Sequence, residues 1–130
     1  MNPNRFTPGK VCATVLLLMC GCTPEPVYNG RPLSYWKQQL KSNEMIARYR
    51  AAGVLREVGP KARIAIPELI DCLHDEEVHV VVASAHALGS IGPDAREAIP
   101  ELGKLTSDPN PDVREAAGYA LKKIKSGPSS

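Results

Sequence analysis

Aromatic side chains are scarce: one Phe, one Trp and four Tyr make up 5% of the 130 residues. No stretch alternates apolar and polar residues for long. Together these exclude a β-sandwich, and abundant alanine suits closely packed helices instead. Charge of one sign is missing too. Sixteen basic and 14 acidic residues leave a formal +2, and all 14 acids and 14 of the bases follow Cys22, so the chain beyond that point sums to zero. The excess belongs to Arg5 and Lys10. Without a net basic surface, nucleic acid is excluded as a partner. No H-E-x-x-H occurs, and "GSIGP" (Gly89–Pro93) has neither a lysine nor a preceding strand, so it is no phosphate loop. Nor is there an apolar run of membrane-spanning length. Val11–Met19, apolar apart from Thr14, covers roughly half of a ~30 Å hydrocarbon core.

That short run has the length of a signal-peptide core and follows a positive start. "MCGC" and the helix-breaking "TPEP" come next. Gly21 before Cys22 is similar to a bacterial lipoprotein signal, in which a small residue precedes the cysteine that is lipidated and becomes the new N-terminus. The resemblance implies a signal over 1–21 and lipid on Cys22. A plain secretory peptide and an uncleaved anchor are the alternatives. Thr23, where such lipoproteins carry Asp for inner-membrane retention, favours the outer membrane. With Cys12 and Cys20 removed and Cys22 modified, Cys72 has no partner for an intramolecular disulfide.

What the sequence does have is a repeat. "VGPKARIAIPEL" from Val58 returns 33 residues later as "IGPDAREAIPEL" from Ile91. The period extends to three segments with one apolar stripe spaced i, i+4, i+7, i+8, i+11. These stripes are Ala47, Ala51, Val54, Leu55, Val58; Val80, Ser84, Ala87, Leu88, Ile91; and Val113, Ala117, Ala120, Leu121, Ile124. Ala52, Ala85 and Gly118 widen them for close helix approach. Shorter helices start near Pro67 and Pro100, proline being well placed at a first helical position. The chain opens on a matching half unit, "SYWKQQL", with Ser34 as its cap. Gly59 and Gly92 are expected to end the long helices in a left-handed conformation, with Pro60 and Pro93 forbidding continuation. Asn110 is the expected start of the last long helix. A helix pair cannot bury its apolar face alone, so stacked copies must do it.

Helix pairs with Gly-Pro after the first and Pro-x-Leu in the second resemble HEAT-type repeats, in the short form also seen in the phycobilisome-lyase group. The ankyrin signature T-P-L-H is absent. Arg48 and Arg114 match the arginine typical of these first helices, whereas Val81 departs from it. The expected fold is all-α, a short α-solenoid of about two and a half helix pairs. It occupies 31–125, after a spacer at 22–30 and before a disordered tail at 126–130.

No catalytic constellation emerges. His79 and His86 stand seven residues apart, about 10 Å along a helix, too far for one metal ion. His74, Asp75, Glu76, Glu77 and His79 read as an acid-rich helix start. Ser34, Ser84 and Ser90 lack a base-and-acid context, and Cys72 matches Leu105, a core position. Eight bases and two acids between Arg31 and Arg63, then five acids between Glu68 and Glu77, give either solvated helix faces or a surface for anionic lipid or an acidic partner.

The reading is a non-catalytic protein–protein interaction module without cofactor, lipid-anchored in the bacterial cell envelope. Solenoids commonly bind along their second helices, which makes Lys37, Glu68, Asp71, Glu101 and Lys104 the expected exposed contact residues. A lyase- or chaperone-like role on a cofactor-bearing partner and a structural envelope role are the alternatives. Leu121 and Ile124 are expected to leave an apolar end through which copies self-associate.

Overall fold

Residues 24–127 are described by a computed structural model; Cys22, the segment 1–21 and residues 128–130 lie outside them. The first folded feature departs from the expected spacer. Asn29 and Gly30 both take positive φ, 51° and 73°, the geometry that Asn-Gly supplies to a two-residue hairpin turn. They join β1 (Val27–Tyr28) to β2 (Arg31–Pro32) in an antiparallel pair. The Trp36 indole N–H donates to the Tyr28 carbonyl at 2.9 Å, which ties the hairpin to the first helix. The folded unit therefore starts ahead of Arg31.

Helix α1 (Leu33–Gln39) is the second helix of the incomplete unit. Ser34 does not cap it. It lies one residue inside the helix, where its backbone N–H and its hydroxyl both donate to the Glu25 carboxylate, the hydroxyl at 2.8 Å. An acid nine residues upstream thus occupies the place expected for a local cap.

Three long helices, α2 (Met45–Val58), α4 (Val78–Ile91) and α6 (Pro111–Lys125), lie side by side with α4 in the middle. The shorter α3 (Ile66–Cys72) and α5 (Ile99–Leu105) complete the second row begun by α1. The apolar stripes face one continuous core. Leu55 and Leu88 are fully buried at equivalent positions, and so are Leu69 and Leu102 on the second helices. Leu121, their counterpart on α6, is only half-buried, since no helix among the described residues covers the outer side of α6. Ile124 is buried, so the expected apolar end shrinks to Leu121 and its surroundings. Gly118 lies exposed on that same outer side, where a Cβ would meet nothing, and is not a packing glycine. The close approach occurs one layer earlier, at Gly89, where a Cβ would stand 3.1 Å from the Ala120 Cα.

The connection repeated in the sequence is helical rather than a loop. The 3-10 segments Gly59–Ala65 and Gly92–Ala98 join each long helix to its short one. Ala62, Ala65, Ala95 and Ala98 are fully buried, which explains why the spelling Gly-Pro-x-Ala-x-x-Ala occurs twice. Gly59 and Gly92 have φ of 71° and 83°, as expected, but their ψ values of −138° and −144° lie outside the left-handed helical well. The following proline disfavours helical ψ in the residue before it, and only glycine is at ease in this mirror-extended region.

The turns between units repeat as well. The Ser42 hydroxyl and the Asp75 and Asp108 carboxylates accept the backbone N–H two residues on, at 3.1, 2.9 and 2.8 Å. Asn110 caps α6 as expected, accepting from Asp112 N–H at 2.8 Å. Arg48 and Arg114 both reach back six residues to a carbonyl, Ser42 O at 2.9 Å and Asp108 O at 2.7 Å. Arg48 goes further. Its guanidinium donates to Asp75 through Nε at 2.6 Å and Nη2 at 3.0 Å, strapping the first unit to the turn of the next. At the intervening position Val81 is buried, so the second unit makes no such strap.

Candidate interaction surfaces

The five residues expected on the second-helix face do lie along it, but their charges are largely satisfied there. Lys37 Nζ stands 3.6 Å from Glu68 Oε1. Glu101 holds Lys104 at 3.0 Å and His74 Nε2 at 3.0 Å. The Lys104 hydrogen bond, opposed by some desolvation and helped by His74, keeps the Glu101 carboxyl below the usual carboxylate range. Asp71 and Lys104 are exposed. Glu68, expected to be exposed, is buried at 8%, and its Oε2 has no hydrogen-bond partner among the described residues. It sits in the first turn of α3, where the neighbouring second helix covers it, a position that periodicity along one helix does not reveal. Apart from Asp71, the face is therefore a row of paired opposite charges.

The acid-rich cluster expected near His74 does not converge. His74 turns to Glu101 and Asp75 to Arg48. Burial alone would raise the Asp75 carboxyl, but the hydrogen bonds from Arg48 and the Glu77 N–H outweigh it and hold the group below its usual range. Cys72 is buried, with its Sγ donating to Leu40 O at 3.5 Å. Burial pushes its thiol up to about 11, against a smaller opposing effect of the Ser84 hydroxyl. Desolvation and then the Arg56 charge push the half-buried His86 below its ordinary value.

The first-helix face carries a feature absent from the expectations. Met45, Ile46 and Tyr49 of α2 and Val78 of α4 are large apolar residues left in solvent, Ile46 at 61% and Tyr49 at 51% exposure. The Tyr49 ring meets His79 edge-on at 6.4 Å between centroids, which brings His79 of α4 against the α2 residues. A cleft of about 300 Å³ lies among Met45, Ile46, Tyr49 and His79. The signal was present in the sequence. These residues fall outside the Ala47–Val58 stripe, and Tyr49 is on the opposite side of the helix from it.

At the edge formed by the 3-10 segments, a larger cleft of about 540 Å³ is lined by Pro24, Glu25, Pro26, Leu33, Pro60, Lys61, Arg63 and Ile64. No helix among the described residues is long and apolar enough to cross a membrane.

Parallel rows of long and short helices, joined by identical turns and sharing one core, define an α-solenoid built of helix-pair repeats. A family model for HEAT repeats matches residues 33–122, and the chain belongs to that family. Proteins built of these repeats generally mediate protein–protein interaction. No curated protein matches the chain.

Proposed function

We propose that the chain is a non-catalytic module that holds another protein at the bacterial cell envelope, tethered through lipid on Cys22. The exposed patch of Met45, Ile46 and Tyr49 beside His79 carries this reading. Large apolar side chains gathered in solvent, with Tyr and Met prominent, are the composition of a protein-binding surface. The second-helix face is the weaker surface, because its charges already pair with one another. The tether and the cellular address rest on the resemblance of Gly21-Cys22 and its preceding apolar run to a lipoprotein signal. Association of two copies through the α6 end has only Leu121 to offer, with Gly118, Lys122 and Lys125 exposed around it.

The test is photo-crosslinking in intact cells, with the photoreactive residue placed at Tyr49, Asp71 or Lys104. A discrete protein adduct from position 49, lost with Ile46→Asp, supports the patch. An adduct from 71 or 104 alone moves the contact to the second helices. No adduct from any position removes the interaction reading.

A further inference from the structure

The two copies of the repeated stretch differ at three positions. One is Val58 against Ile91, a change of one apolar residue for another. The other two are Lys61 against Asp94 and Ile64 against Glu97. Both of these lie on the exposed outer side of the 3-10 segments, while the glycine, proline and buried alanines are the same in each copy. The fold therefore makes no demand that explains the difference. What distinguishes the copies is their surroundings. Pro24 lies against the first copy, sharing its cleft with Pro60, Lys61, Arg63 and Ile64. Ile64 is 44% exposed. Arg63 is largely in solvent, with Asp94 only as near as 3.9 Å. The one acid of the cleft, Glu25, is engaged by the Ser34 N–H and hydroxyl.

One residue, Thr23, separates Pro24 from Cys22, so their Cα atoms are at most about 7 Å apart. If Cys22 carries lipid, this edge cannot leave the headgroup region. We propose, on that reading of Cys22, that the 3-10 edge of the first repeat is a membrane-contact surface for anionic lipid. Ile64 enters the interface, and Lys61 and Arg63 face the headgroup charges. In the second copy Asp94, 3.9 Å from Arg63, borders the contact, and Glu97 stays outside it. A bilayer carrying negative charge attracts exposed Lys and Arg near the surface, takes up exposed apolar side chains and repels acids. The apolar patch of Met45 and Tyr49 starts from the opposite ends of the long helices, which leaves it free for a protein partner.

The experiment uses the lipidated protein reconstituted into vesicles of phosphatidylcholine, with or without phosphatidylglycerol. A fluorophore is attached at Ile64→Cys, Glu97→Cys or Tyr49→Cys, and quenching by nitroxide-bearing lipids is read. Cys72 is buried and stays unlabelled. Quenching is expected at 64 on anionic vesicles, with none at 97 or 49. It should be lost when Lys61→Asp is added or phosphatidylglycerol is left out. Lys61→Asp keeps the fold, because Asp94 holds the same place in the second copy. Equal quenching at 64 and 97, quenching at 49, or indifference to both Lys61→Asp and anionic lipid would overturn the proposal. The intact mass separates the two failures. A chain without lipid on Cys22 removes the anchor and the proposal together. A lipidated chain with the wrong quenching pattern removes the proposal alone.

Discussion

Leu88 and Leu121 hold the same place in consecutive repeats, yet the stack treats them differently. Leu88 is fully buried between α4 and its neighbours, while Leu121 is half-buried on the last helix. Truncating a sealed core leucine to alanine removes its transfer energy and leaves a cavity, together about 3 kcal/mol within the usual 2–5. At Leu121 only part of the side chain is withdrawn from water and no closed cavity forms, so the loss is about 1 kcal/mol. For a domain of about 100 residues, each kcal/mol lowers Tm by roughly 4–8 °C. Leu88→Ala should therefore melt some 12–24 °C below the parent and Leu121→Ala some 4–8 °C below. Urea titrations followed by far-ultraviolet circular dichroism and by Trp36 fluorescence give the same comparison at constant slope. Equal losses at the two positions would refute the open-ended stack. A Leu121→Ala loss that grows with protein concentration would show a second copy covering the end.

The Arg48–Asp75 strap should contribute about 2–3 kcal/mol, since it is charge-assisted, two-pronged and mostly buried. Arg48→Met is expected to cost that much in urea unfolding, and Arg114→Met, whose bonds are exposed, far less. The depressed Asp75 carboxyl stabilises the fold above its unfolded value near pH 4 and loses that contribution as the pH falls through the folded value, so Asp75→Asn should flatten the acid limb of the stability profile. Gly92→Ala should cost roughly 1–3 kcal/mol through backbone strain alone, because a Cβ there meets no other atom. Cys72 should resist alkylation in the native protein at pH 8 and react at once in urea; prompt native labelling would contradict its burial.

The architecture was legible because it depends on spacing within single helices. Leu55, Leu88 and Leu121 recur at one interval, and the Gly-Pro and Pro-x-Leu punctuation gave the helix ends. The hairpin turn is written in Tyr28-Asn29-Gly30-Arg31 too, but strands of two residues leave no alternating pattern that would set it apart from a spacer. Other features depend on pairs distant in sequence. Glu25 satisfies the start of α1 from outside it, Glu68 is covered by a neighbouring helix, and Val81 replaces a strap whose acid lies in another turn. Periodicity reports which side of a helix is apolar and is silent on what the other side meets. Met45, Ile46 and Tyr49 stand out in the sequence itself as large apolar residues off the stripe. That Lys61 and Ile64 adjoin Pro24 required the fold.

The claim on which the rest depends is that the 33-residue interval sets α4 directly between α2 and α6 in one row. Nuclear Overhauser contacts from Gly89 measure it most directly, since its α-carbon faces Ala120 closely enough that an added Cβ would stand 3.1 Å from the Ala120 Cα. Strong cross-peaks between the Gly89 α-protons and the Ala120 methyl are predicted. Their absence in a folded, helical sample would contradict the stack.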